Sequence, residues 1–284
     1  QFNNTICNFV YRMIISRNLI LTIFILLPFS VFSQSENKRV IFPAKADYYP
    51  PYQIKRSAVQ KTNINILLEG NEQKQSVSSW MTSIQTCKPS NPTTNLQQVE
   101  MWVTDINGTL KTSEMSVPIP NVDTSISRVI YYLDKKGVIQ QFEGNEEYLK
   151  SLTQTGLFAV QKGRNLWSFL RNDKDLHIGD TLRESKKGHP LSFDAIYVLN
   201  SVDGGQAIFE VKQEIELNQS YDAQGLQMNQ NVKGSMNGSL VVRVADRMVL
   251  QSNMDIFLEG TMDMVYLKAP ITIRGNITEN AEQI

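Results

Sequence analysis

Over about the last ninety residues, apolar and polar side chains alternate with a period of two, and six of the chain's ten methionines fall on the apolar phase. Met228, Met236, Met248, Met254, Met262 and Met264 share that phase with Leu240, Val242, Val244, Leu250, Ile256 and Leu258. Ser235, Asn237, Ser239, Arg243, Gln251, Asn253, Asp255 and Glu259 take the other. Successive side chains of a strand point to opposite faces, so the pattern predicts long antiparallel strands with one dry face and one wet face. A dry sheet face has to be covered by a helix, another sheet or a bound apolar molecule.

Shorter runs of the same period precede this region. Ile64, Ile66 and Leu68 alternate before Gly70 and Asn71, and Val77, Ser79 and Met81 before an expected loop from Cys87 to Asn95 that carries Pro89 and Pro92. Val99, Met101 and Val103 lead to the turn signal Asn107-Gly108. A hairpin is expected from residues 125–133 and 138–142, turning at Asp134-Lys135-Lys136-Gly137. Leu191, Phe193, Ala195, Tyr197 and Leu199 form one strand face, and Asp203-Gly204-Gly205 turns the chain toward Ala207, Phe209, Val211, Ile215 and Leu217. A polar loop is expected over residues 218–231, and a final strand carries Ile271, Ile273 and Ile277.

Between these flanks the period changes. Asn145 can cap a helix containing Glu146, Glu147, Tyr148, Leu149 and Leu152, with its acidic residues suited to the first turn. Leu166, Phe169 and Leu170 then recur at helical spacing beside Trp167. The expected fold is mainly β, a β-rich α+β arrangement. Its long antiparallel strands form a curved sheet or open half-barrel, with the central helical segment on the concave face. Residues 54–280 read as one domain, with lobes at 54–144 and 176–280 around a helical segment at 145–172 and an extended leader at 34–53.

The N-terminal stretch sets the expected compartment. Arg12 and Arg17 precede an uncharged apolar run over residues 19–32, with Val31 and Ser33 placed for cleavage before Gln34. This predicts a secretory signal peptide over residues 1–33, starting at Met13. The run is shorter than the ~20 apolar residues of a spanning helix, although an uncleaved N-terminal anchor is the alternative. Cys7 lies on the wrong side of it for lipid attachment, so the mature chain is expected to be periplasmic or secreted and not lipid-anchored. Its lone thiol, Cys87, has no internal disulfide partner, which leaves stability to the hydrophobic core. Lys plus Arg and Asp plus Glu balance at 28 each, a poor match for nucleic acid.

Several short motifs occur in a recognisable order: Asp134-Lys-Lys-Gly-Val-Ile, Phe142-Glu143-Gly144, Ile178-Gly179-Asp180-Thr181, Asp203-Gly204-Gly205, Gly234-Ser-Met-Asn-Gly238 and Ile271-Thr-Ile-Arg-Gly275. In that order the chain resembles an uncharacterised family of exported bacterial proteins and lipoproteins over roughly residues 63–278. The resemblance implies a half-barrel similar to the lipoprotein localisation factor, with helices against its concave side. It implies no catalytic residues. The chain departs from the pattern in lacking the lipid-accepting cysteine of many members and in its 218–231 segment.

Candidate chemistry is sparse. His177 and His189 lie outside the regular strands, and no motif joins either to Cys87. Gly234-Ser235-Met236-Asn237-Gly238 has the wrong spacing for a nucleophile elbow and sits in a strand pattern. A non-catalytic protein with no cofactor is therefore expected. Met254, Met262 and Met264 offer soft thioether ligands for copper, but methionine at alternating core positions more often fills gaps. The candidate apolar ligand surface is the concave face: Met236, Leu240, Val242, Met254, Ile256, Leu258, Met262 and Met264, with Trp167 and Phe169 from the helical segment. Its expected occupant is a lipid, an acyl chain or a hydrophobic segment of an envelope protein partner. The alternative is a sealed core with no ligand, in a protein that works through its surface.

Overall fold

The computed structural model describes residues 51–68, 70–112, 115–118, 123–149, 162–163, 175–188, 191–223, 226–245, 247–264 and 267–284. The signal peptide and most of the leader lie outside these residues. So does the central helical segment, apart from its first turn and residues 162–163.

The described strands are β1 (Tyr52–Leu68), β2 (Asn71–Asn91), β3 (Leu96–Thr112), β4 (Ser116–Pro118), β5 (Val129–Leu133), β6 (Ile139–Gly144), β7 (Thr181–Lys186), β8 (Leu191–Asp203), β9 (Gln206–Ala223), β10 (Leu226–Arg243), β11 (Val249–Met264) and β12 (Leu267–Gln283). They form a single antiparallel sheet in the order β6-β5-β3-β2-β1-β12-β11-β10-β9-β8-β7, with β4 added beside β3. The sheet is curved and open: β6 and β7 end it and do not pair. Nearly every neighbour on this path is also a neighbour in sequence. The exceptions are β3 with β5, which only the short β4 separates, and the seam between β1 and β12, aligned from Ile54 opposite Gln283 to Ile66 opposite Ile271. Two meanders thus become one surface.

Tight turns make the meanders. Gly204 and Gly205 both take left-handed φ, 53° and 79°, as a two-residue hairpin with the right-handed strand twist requires. Asp134 closes the β5–β6 turn, its Oδ1 accepting from the Lys136 and Val138 amides. Asn145 caps the helical turn that follows β6, its Oδ1 accepting from the Tyr148 amide at 3.0 Å. Tyr148 and Leu149 from that turn pack against the core. The chain between β6 and β7 touches the sheet again where the Gly163 amide donates to the Ile139 carbonyl, at the β6 edge.

Parts of the expected loops are strand instead, although the chain does turn at residues 92–95 between β2 and β3. Cys87 lies buried inside β2, opposite Tyr52 and Val99. A register shift between Cys87 and Ser90 absorbs Pro89, which has no amide to donate to a ladder. Asn107 and Gly108 do not turn; they pair with Trp80 and Ser79 in mid-strand. Of the expected 218–231 loop, residues 218–223 end β9 and residues 226–231 begin β10. Polar residues occupy both phases there, since Gln219 and Gln230 are buried while Asn218 and Asn231 take the other face. Ser125 and Ser127, expected within a strand, precede β5, which begins at Val129.

Candidate functional site

One hydrophobic cluster runs along the dry face of every long strand, and the sequence-derived surface is its centre. Met236, Leu240, Val242, Met254, Ile256, Leu258 and Met262 are all buried within it. Met264 occupies a β11 position opposite Met228 and Leu267. Trp167 and Phe169 lie outside the described residues. Met254 and Met262 do not converge as a metal site would require. Met254 and Met262 stand eight residues apart on one strand, about 27 Å at ~3.4 Å per residue, so they cannot share an ion.

Four glycines on this face sit tightly against the neighbouring strand. A Cβ at Gly234, Gly238 or Gly260 would fall within 2.0 Å of a carbonyl oxygen of the neighbouring strand, and at Gly275 within 2.6 Å. Any larger residue would push the strands apart, as at the tight bends of barrels. The outer face is wet: Asn231, Lys233, Asn237, Gln251, Asn253, Asp255 and Glu259 are exposed. A membrane-spanning barrel has the opposite polarity, apolar outside and polar inside. A cleft of about 430 Å³ lies mostly among such wet-face side chains, with Lys187, Asp194, Glu214, Lys233 and Glu259 around Phe257. The Arg274 guanidinium lies 4.9 Å from the centre of the Phe257 ring.

The dry face also contains polar residues that sequence reasoning missed. Arg56 and Glu279 form a buried ion pair across the β1–β12 seam, 3.2 Å from Nη1 to Oε1. Arg56 Nη1 also donates to the Val249 carbonyl and its Nε to Gln85 Oε1, while Gln85 Nε2 donates to the Tyr52 hydroxyl. Burial pushes the Glu279 carboxyl up to about 7, against the opposing pull of Arg56. Gln60, Ser79 and Ser252 share the face and are at most 3 % exposed. The available signal was their phase: Arg56 and Gln60 keep step with Ile54, Ala58 and Ile64, and Glu279 with Ile273 and Ile277.

Glu100 provides a contrast. Burial raises its pKa, but Lys88 at 2.5 Å and Arg128 at 2.6 Å reach it from the exposed surface and together hold it below the usual glutamate range. Of the three residues considered for nucleophile and base, His189 lies outside the described residues and the other two sit in different environments. The Cys87 thiol is buried in the core, and His177 is exposed in the turn before β7, where its amide donates to Asp180 Oδ2.

No family model matches the chain, and no curated protein does. Among solved structures, lipovitellin, described for its lipid–protein interactions, matches at 11 % identity and a TM-score of 0.48 over 83 % of this chain and 25 % of its own. This chain therefore spans a quarter of that one. DynF from the dynemicin biosynthesis pathway of Micromonospora chersina matches at 7 % identity, TM-score 0.24, over 87 % of both chains. An outer membrane channel from Pseudomonas putida F1 matches at 7 % identity, TM-score 0.27, over 84 % of this chain and 99 % of its own.

Proposed function

We propose that the chain is a non-catalytic, exported cell-envelope protein that receives a lipid, an acyl chain or a hydrophobic protein segment against the dry face of its open sheet. The carrying observation is the pairing of an unclosed sheet with a continuous apolar inner face, set with Met236, Met254 and Met262 on the strands that carry the tightly packed Gly234, Gly238 and Gly260. Methionine is unbranched and repacks at low cost around partners of varied shape. The wet outer strands suit an aqueous compartment better than a bilayer core. The expected signal peptide would deliver the chain there.

The second reading, a sealed core acting through its surface, is favoured by one observation: those three methionines have no exposed surface at all. Native mass spectrometry of the purified protein separates the two. Co-purifying lipid, together with uptake of an apolar naphthylamine dye after delipidation, is the expected result. Protein that arrives empty and takes up no dye would overturn the carrier reading.

A further inference from the structure

The wet outer face differs between the two halves of the sheet. On β9 to β12 its side chains engage one another. Asn276 Nδ2 donates to Asn253 Oδ1 at 2.7 Å and to Asp255 Oδ1 at 3.0 Å, Lys212 pairs with Glu210, and Arg274 covers Phe257. On β1 to β3 they do not. Trp80, in the middle of β2, is 41 % exposed and lies between Val59 of β1, itself 40 % exposed, and Asn107 of β3. One step along the same face, Thr82 has Ser57 and Asp105 on either side; one step the other way, Ser78 has Lys61 beside it. Directly opposed side chains start about 5 Å apart and diagonal ones about 7 Å, so all of these surround the indole. The side chains of Ser57, Lys61, Ser78, Asp105 and Asn107 make no hydrogen bond or ion pair with a described residue.

A second tryptophan stands on this face. Trp102 is directly opposite Ile84, which is opposite the outward Lys55. Trp102 and Ile84 are half-buried and outside the hydrophobic core, whereas Met101, the next residue on β3, turns the other way and packs against it. Ile84 is four residues beyond Trp80, which sets the two tryptophans about 14 Å apart at the backbone. The row of Ser57, Thr82 and Asp105 lies between them. Charge on this surface is balanced: Lys61 is offset by Asp105, and Lys55 pairs with Glu282. An exposed indole adds little to the core, so a pair of them on a water-facing sheet points outward to a partner.

We infer that the outer face of β1 to β3 binds an uncharged oligosaccharide, with Trp80 and Trp102 as stacking platforms for two rings of one chain. A sugar ring has the matching chemistry: apolar C–H faces that lie flat on an indole, and a rim of hydroxyls that both donate and accept. Asp105 accepts from such a rim, while Ser57 and Asn107 can do either. The spacing of the platforms is too long for one ring and suits a chain of several. A membrane surface would call for an excess of cations beside the indoles, and the balance of Lys61 with Asp105 does not supply one. A protein partner would want a continuous apolar patch, and the polar row at Thr82 interrupts it. The inference concerns the face opposite the proposed apolar ligand and stands apart from the carrier reading.

The test titrates the full chain with cellopentaose, maltopentaose and chitopentaose, uncharged chains of different linkage and substitution, and follows tryptophan emission. At least one should give a saturable blue shift and bind about tenfold or more tightly than its own monosaccharide, since one ring reaches one platform only. Trp80→Ser should abolish the binding at an unchanged melting temperature. Trp102→Ala should remove the advantage of the longer chain and leave the monosaccharide affinity as it was, a result that a purely structural role for Trp102 would not give. Asp105→Ala should weaken the pentaose by about tenfold, the effect of one lost hydrogen bond to a charged group. No saturable shift from any of the three at millimolar concentration, or binding that survives Trp80→Ser, overturns the inference. Sedimentation with phosphatidylglycerol vesicles that depends on Trp80, in place of sugar binding, overturns it in favour of a membrane-facing surface.

Discussion

On β9, β10 and β11 the dry face is carried by Phe209, Val211, Met236, Leu240, Met254 and Leu258, whereas on β12, β1 and β2 the same face admits Glu279, Arg56, Gln60, Ser79 and Gln85. The two halves are continuous, yet they hold the sheet together by different means. Apolar burial is non-directional and tolerates sliding; a strand moved by two residues would still present Ile or Leu to the core. Hydrogen-bonded polar contacts are directional. Arg56 reaches Glu279, Gln85 and Val249 together in one alignment of β1 against β12. The seam, whose flanks repeat Ile-x-Ile on both strands, is where such a lock has most to specify. The contrast separates stability, supplied mostly by the methionine side, from register, supplied by the polar side.

The largest expected effect comes from breaking the lock. Arg56→Met leaves Glu279 buried without its cation and should cost about 3–5 kcal/mol in urea unfolding. Adding Glu279→Leu should recover most of that. If the single and double variants are equally unstable, the pair is only a packing element. Next, Met254→Ala on the apolar side should cost about 2–5 kcal/mol by leaving a cavity. Gln60→Leu, nearby on the polar side, should change unfolding free energy by less than about 1 kcal/mol, because it removes an unmatched oxygen along with the amide. Equal losses at the two positions would erase the distinction.

A smaller effect is expected from pH. Glu279 titrates higher when folded than its ordinary value near 4.5, so its contribution is full below about pH 4.5 and is lost as pH rises through about 7. Glu100 is held low, so its contribution is present above its ordinary pKa and lost on acidification. Melting curves at pH 5 and pH 8 should show Glu279→Gln gaining on the parent at the higher pH, and curves at pH 3 and pH 6 should show Glu100→Gln losing to it at the higher pH. Identical slopes for all three proteins would count against both assignments. The smallest effect belongs to the wet face: Trp80→Ser, at a residue 41 % exposed, should shift unfolding by no more than about 0.5 kcal/mol.

The same division governed what could be read from the sequence. The middles of β10 to β12 were legible, because Met236, Met254, Leu258 and Ile273 mark the dry phase there, while Gln230, Ser252 and Glu279 interrupt it toward the ends. The hairpin turns at Asp134 and Gly204 were equally plain, since the local backbone demands those residues. The polar half was not legible in the same way. Arg56, Gln60 and Glu279 keep the dry phase, but what pairs with them is hidden until the register of β1 with β12 is known, and that register joins residues 223 positions apart. Asn107-Gly108 and Cys87-Lys88-Pro89 are good local turn signals that tertiary pairing with β2 and β3 overrides. Ser252 was passed over because a small polar residue in a strand carries no mark of its face.

That seam also has a kinetic consequence. Every other ladder of the sheet can form as soon as the next stretch of chain emerges, but β1 has one edge to offer and must wait for β12, the final strand described. Until then the nascent molecule carries an unsatisfied, Ile-rich strand edge, the kind of template on which other chains aggregate. Closing it last means closing the largest loop in the protein, which predicts slow, high-contact-order folding and a need for protection during synthesis and transit.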